Sequence, residues 1–372
     1  PRYERGTLQE VYEMIGKDIE AGIPLIDDTA YSVPKYHFNY KAACCFASRY
    51  YLFMQDWGNA IKYATMALTS NPSSLLRDYS AIAALPKGTS RHQEYVNSAS
   101  TANFLLQAAT SNSGLLFDWY STAGRYSHGK LQGIYETVQP KKGGPWGSSV
   151  TFKAPHAVLA SSGKYVLPRT WRVFQYTDPV AGTGFNKAIS VLFTSEEALL
   201  NRAEAYIMKM DEDPTALDKA LEDINLYAAN LFSAGFKSMT EASIIKWATE
   251  TYPDYSELYV GKTSVSSPQT LNPKKKLHAA PYNTLEEGGP QESMLQALIF
   301  MRRYQFLHEG MRWFDTRRFG ITVYRYLLDE DAETVVQITD QISDENGTAD
   351  PRRALQLPAD VIAAGLTPNP RK

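Results

Sequence analysis

The densest set of chemistry-bearing residues is Glu309-Gly310-Met311-Arg312-Trp313-Phe314-Asp315-Thr316-Arg317-Arg318. It follows residues 291–307, a run apolar around most of a helical circumference that nevertheless carries Arg302 and Arg303 near its end. Charges set into an apolar helix must pair, because an unpaired buried charge costs several kcal/mol. If the helix continues, Glu309 and Arg312, and then Arg312 and Asp315, are i,i+3 neighbours. The spacing therefore predicts a local ion network that holds the fold and does no chemistry on a ligand.

Other residue types suited to catalysis lack the company they need. A glycosidase uses two facing carboxylates, and Glu196/Glu197 and Glu286/Glu287 are adjacent acids. Neighbours on a helix point apart, and Glu196 and Glu197 follow Thr194 and Ser195 as first-turn acids of a capped helix. There is no G-x-S-x-G elbow. His37, His92, His128, His156, His278 and His308 are scattered, without H-E-x-x-H spacing or nearby cysteines, which argues against a zinc site. Gly182 and Gly184 fall short of a dinucleotide fingerprint. Cys44 and Cys45, the only cysteines, diverge by about 100° on a helix and read as small buried residues, not a disulfide. No catalytic residue, metal or cofactor is expected.

Aromatic surface remains. Sugar rings stack their C–H faces on flat aromatics and hydrogen-bond through their hydroxyl edges. Trp119, Tyr120, Tyr126 and Trp146 stand outside helical periodicity amid Ser, Gly and Pro, with Asn112, Asp118 and Arg125 to meet hydroxyls. Trp146 sits in Gly143-Gly144-Pro145-Trp146-Gly147-Ser148-Ser149, where no apolar periodicity buries it. It is expected on the surface as the preferred glycan contact, with the other three as second choices. A net charge of −2 argues against nucleic acid or an anionic membrane as partner. No apolar run reaches the roughly 18 residues of a membrane-spanning helix. Lys274-Lys275-Lys276 reads as a solvated face or local structural element.

These residues must be positioned by helices. Apolar spacing predicts helices over 7–26, 38–55 and 57–70. The second and third fit a tetratricopeptide register through Ala47, Tyr51, Trp57, Ala60, Ala64 and Ala67, stopped by Pro72. A second hairpin is expected from 195–210 and 216–232, with Ala203, Ala205 and Ala220 as its small residues. A third comprises 291–307 and a continuation to 328. Between the helical stretches, about 7–70, 194–232 and 291–328, lie two irregular inserts over about 71–190 and 233–290. Short strands are expected at 150–152, 164–167 and 172–176, and a helix at 239–249. The fold class is mainly α, tetratricopeptide-type helical hairpins with long irregular inserts and a few short strands.

Four blocks of the chain resemble, in order, the SusD/RagB family of glycan-binding surface lipoproteins of Gram-negative bacteria. Arg302-Arg303-Tyr304-Gln305-Phe306 with Glu309-Gly310-Met311-Arg312-Trp313-Phe314-Asp315 is similar to its "RR-x-E/Q-F…EG-x-RWFD" signature. Glu197-Ala198-Leu199-Leu200-Asn201-Arg202-Ala203-Glu204-Ala205-Tyr206 resembles its "E-x-LL-x-RAEAY" helix. Asp350-Pro351-Arg352-Arg353 with Gln356-Leu357-Pro358 and Pro368-Asn369-Pro370-Arg371 resembles its terminal block. Ala42-Ala43, Arg49-Tyr50-Tyr51-Leu52 and Asp56-Trp57 resemble its first helix pair.

The resemblance implies one SusD-like region over 1–372, with Glu309, Arg312, Trp313 and Asp315 as a structural signature. It also implies non-catalytic binding of an oligo- or polysaccharide at the outer-membrane cell surface, and delivery of that glycan to a SusC-like TonB-dependent transporter. Membrane attachment would come only through a lipid anchor on an N-terminal part absent from this chain, which is expected to be a fragment. The alternative is a tetratricopeptide-type scaffold that grips a protein. The long aromatic-rich inserts and the four blocks oppose it.

Overall fold

Thr7 starts the first helix: its hydroxyl accepts from the Glu10 amide while the Glu10 carboxylate accepts from the Thr7 amide, a reciprocal cap. The computed structural model describes residues 6–113, 136–137, 143–148, 150–153, 157–159, 164–166, 169–233, 235–255, 259–261, 272–330, 334–344 and 348–371. The chain forms two compact units, one from 1–127, 151–159 and 166–238, the other from 128–150, 160–165 and 239–372.

In the first unit α1 (Leu8–Gly22), α2 (Tyr40–Phe53) and α3 (Trp57–Leu68) are followed by the short helices α4 (Tyr79–Ala84) and α5 (Thr89–Tyr95). Strand β1 (Asn103–Thr110) follows, then the three-residue β2 (Ala157–Leu159), and, after β3 (Lys164–Val166) at the division between the units, β4 (Thr170–Asp178) and β5 (Thr183–Thr194). The last strand runs straight into α6 (Ser195–Met208), which pairs with α7 (Ala216–Leu231). Small residues let α2, α3, α6 and α7 approach closely: Ala47, Ala60, Ala64, Ala67, Ala203, Ala205 and Ala220 are wholly buried. Bidentate ion pairs lock neighbours together. Arg49 grips Glu197 at 2.6 and 2.7 Å, and Arg202 grips Asp223 at 2.8 and 2.7 Å. Glu196 and Glu197 do occupy the first turn of a helix that Thr194 caps, but both are buried; Glu196 accepts the Arg77 backbone amide at 2.9 Å.

The sheet is antiparallel in the order β1-β5-β4. Asn103 stands opposite Thr194 and Thr170 opposite Ser190. Of this sheet only part of β4 is expected from the sequence, at 172–176, and the strand expected at 164–167 is met by β3. Strands β1 and β5 are additions, built by pairing across some ninety positions. The expected strand at 150–152 reduces to a single bridge between Phe152 and Phe232.

The second unit contains α8 (Glu241–Lys246), extended by a π turn to Thr251, then α9 (Pro290–Gln305) and α10 (Met311–Arg318). A hairpin of β6 (Val323–Leu328) and β7 (Val335–Ile342) follows, and α11 (Ala359–Ala363) lies near the end. The expected helix at 291–307 is found as α9, but the expected helical continuation to 328 is corrected to two short elements of different kind, α10 and β6. His308 (φ 69°) and Gly310 (φ 79°) turn left-handed between α9 and α10, and a helix cannot continue through that region. The Lys274-Lys275-Lys276 run is also not a solvated face. Lys274 and Lys275 are buried, and the Lys274 ammonium donates to the carbonyls of Ala248 and Tyr252 at 3.0 and 3.2 Å. Those are orphan acceptors at the end of the α8 segment. Only Lys276 faces solvent, paired with Glu287 at 2.9 Å. The terminal block is structural: buried Arg353 holds Asp344 at 2.8 Å, and the Gln356 amide brackets the Asn369 backbone from both sides.

Candidate functional site

The surface placement expected for Trp146 is overturned. Its indole is 0% exposed, stacked on Phe300 at 5.0 Å and tilted against Trp247 at 6.1 Å. The flanking glycines make room for the ring rather than display it: a Cβ on Gly144 would lie 1.9 Å from indole Cε2. Trp119, Tyr120 and Tyr126, the other expected glycan contacts, lie outside the described residues.

An exposed aromatic face does exist, on the outer end of the β4–β5 ribbon. Phe174 and Tyr176 are two apart on β4 and so share one face. Their rings meet edge to face at 4.9 Å and remain 39% and 59% exposed. Across the ladder, Phe174 stands opposite Asn186 and Tyr176 opposite Gly184. A Cβ on Gly184 would lie 2.1 Å from the Gln175 carbonyl oxygen, so no side chain can stand across from Tyr176 and its ring is left uncovered. Exposed Arg172 lies on the same face of β4, and Asn186 donates to Asn112 at 3.3 Å beside it. Phe185, opposite Gln175, turns its ring to the other face and is 55% exposed. Flat apolar rings beside amide and guanidinium donors are what a sugar's C–H face and hydroxyl edge require. Within the sequence, Thr170-Trp171-Arg172-Val173-Phe174-Gln175-Tyr176 is rich in strand-favouring aromatic and β-branched residues, but composition does not say which face lacks a partner.

The charged block at the α9–α10 junction resolves into two clusters. Asp315 is 1% exposed and receives Arg302 through Nε and Nη2 at 3.0 and 2.9 Å, with Arg318 at 3.1 Å. Burial alone would raise this carboxyl, but the arginines hold it below the usual range. The expected Glu309–Arg312–Asp315 ladder along one continuing helix is thus replaced by partners from α9 and from one turn further along α10. Trp313, half-buried, contributes its carbonyl to the Thr316 hydroxyl at 2.8 Å. Arg312 points elsewhere, into a cavity that also receives Arg303, Lys275 and Glu136. Glu136 is ion-paired to Lys275 at 3.0 Å and Arg303 at 2.8 Å. Desolvation pushes its carboxyl up, but the two cations prevail and hold it at about 2.

Among the described residues no group of three or more His, Cys, Asp or Glu could hold a metal ion, and no helix is long and apolar enough to cross a membrane. Cys44 and Cys45 are free and buried, and burial pushes the Cys44 thiol up to about 11.

Residues 2–52 match the SusD-like family model described as "Starch-binding associating with outer membrane". Solved structures similar to the chain include a SusD superfamily protein from Bacteroides vulgatus ATCC 8482, at 17% identity and a TM-score of 0.52, covering 98% of this chain and 66% of that one. Another protein of that organism, named for sugar binding, gives 18% identity and 0.55, with 100% and 67% covered. A SusD superfamily protein from Bacteroides thetaiotaomicron VPI-5482 gives 15% and 0.51, with 99% and 67% covered. At these identities the likeness is one of fold, and the chain spans about two thirds of the length of those proteins. No curated protein matches it.

Proposed function

We propose that the chain is SusD-like, as its fold and the match of residues 2–52 support, and that it binds an oligo- or polysaccharide without transforming it. In this reading it works at the outer-membrane cell surface and passes the glycan to a SusC-like TonB-dependent transporter. The observation that carries the reading is the uncovered Phe174–Tyr176 face beside Asn186. The two rings stand at 76° to one another, so one can offer its face to a sugar ring while the other offers its edge. Each stacked ring contributes on the order of 0.5–1.5 kcal/mol, as other aromatic contacts do. The family description and the sugar-binding relative named above support the same ligand class.

A second reading has its own observation: the hairpins α2–α3 and α6–α7 pack through small residues as tetratricopeptide pairs do, and such pairs grip proteins. Affinity electrophoresis on a panel of neutral and acidic polysaccharides separates the two. Retardation in at least one gel, with no rise in reducing ends on incubation, is the expected result. Migration identical to a non-binding protein in every gel would leave the scaffold reading standing.

A further inference from the structure

The cavity between α9, α10 and β6 in the second unit has a volume of about 150 Å³. Among the described residues its wall carries three cations, Lys275, Arg303 and Arg312, against one carboxylate, Glu136. That carboxylate is already committed to two of the three, at 3.0 and 2.8 Å. Asp315, which could answer Arg312 from one turn along α10, is instead held by Arg302 and Arg318. Among the described residues no carboxylate is ion-paired to Arg312, although Asp315 and Glu136 act on it at longer range. Its Nη1 is buried and has no hydrogen-bond partner among the described residues. Burial and the facing Arg303 push its guanidinium down to about 10, so it remains charged at neutral pH.

A half-buried guanidinium whose buried Nη1 donor is unused is an expensive arrangement unless something answers it. The planar fork of arginine matches an oxyanion bidentately, and a lysine beside it supplies a second, compact charge. The volume suits such a group. It equals roughly five waters at about 30 Å³ each, and it falls below the roughly 300–1,000 Å³ of sites that enclose a drug-sized molecule. The side chain of Arg303 is 17% exposed, so the cavity is reachable from solvent.

We infer that Arg312, with Lys275 and Arg303, forms a binding site for a small oxyanion group: a carboxylate, sulfate or phosphate. The inference stands apart from the glycan reading, because its residues lie in the second unit and not on the β4–β5 ribbon. Two sources share this chemistry, a free inorganic anion and the acid group of an acidic sugar.

The test is calorimetric titration of the whole chain at fixed ionic strength with sodium sulfate, phosphate, acetate, glucuronate and, as a neutral control, glucose. Anions are kept at low millimolar concentration, below the range in which sulfate stabilises proteins generally. Saturable binding of at least one anion, and none of glucose, is expected. Arg312→Gln should weaken it at least tenfold and Arg312→Lys by less. In chloride alone, Arg312→Gln should melt at or above the wild-type temperature, since it removes an unanswered cation. A preference for glucuronate over sulfate identifies the acidic sugar as the source, and the reverse identifies the free ion. Three results would overturn the inference: no anion titrates; Arg312→Gln binds as tightly as wild type; or Arg312→Gln melts well below wild type in chloride, which marks Arg312 as paired within the fold.

Discussion

Trp146 and Tyr176 are both large aromatics tied to a glycine, and they finish in opposite surroundings. The first is 0% exposed and the second 59%. In each case the glycine is required by a close approach, but different things approach. At Gly144 it is the indole itself that comes within 1.9 Å of where a Cβ would be. At Gly184 it is the neighbouring strand, whose Gln175 carbonyl oxygen is 2.1 Å from that point, and the missing side chain uncovers Tyr176. A glycine beside an aromatic thus signals contact, and exposure depends on whether the ring is the contacting group. Trp146 belongs to the core of its unit; Phe174 and Tyr176 belong to a surface.

The contrast can be broken most forcefully at the buried ring. Trp146→Ala should cost about 3–5 kcal/mol in a denaturant melt, since Phe300 and Trp247 lose the indole packed between them. A wild-type melt together with lost glycan binding would return Trp146 to the ligand site. Gly144→Ala should cost about 1–3 kcal/mol through overpacking, because the indole and not a flexible chain end blocks the new methyl. An unchanged melting temperature there would mean that the ring is not seated on that backbone.

Gly184→Ala sharpens the other half. The methyl meets a strand carbonyl, so the ribbon end must shift, and a loss of about 1–2 kcal/mol is expected. Amide exchange should quicken at the ribbon end, and unaltered exchange would show that the strands are not so closely apposed. The smallest stability effect belongs to Tyr176→Ala. An exposed ring removed from a strand should change the melt by about 0.5 kcal/mol or less, and a loss several times larger would place Tyr176 in a core.

Much of the helical frame is legible from spacing. Ala60, Ala64 and Ala67 mark the buried face of α3, because a period of 3.6 is local and small residues repeat on it, while Ala203 and Ala205 fall on different sides of α6, which is buried nearly all round. What escapes is non-local. The pairing of Asn103 with Thr194 leaves no trace at either end of the chain segment. Likewise, Lys274 is buried because its ammonium finds the carbonyls of Ala248 and Tyr252, acceptors that every residue carries and no residue type advertises. The 302–318 block shows both sides. Its dense charge correctly says that pairing must occur, yet the left-handed turn at His308 and Gly310 rotates α10 so that Asp315 meets Arg302 and Arg312 turns to the cavity. For the proposed glycan site, spacing points to aromatics outside helical periodicity but does not single out Phe174 and Tyr176, whose exposure follows from a ribbon face that no other described element covers.

The most direct test of the account is calorimetric titration of the wild type and of the Phe174→Ala/Tyr176→Ala double variant with an oligosaccharide drawn from a polysaccharide that retards the protein. Each single variant should lose about 0.5–1.5 kcal/mol, roughly two- to twelvefold in affinity, and the double variant more than either alone, though rings in contact couple and need not add. The fold, read from the melt, should be preserved. Wild-type affinity in a well-folded double variant would contradict the claim that this ribbon is where the glycan binds.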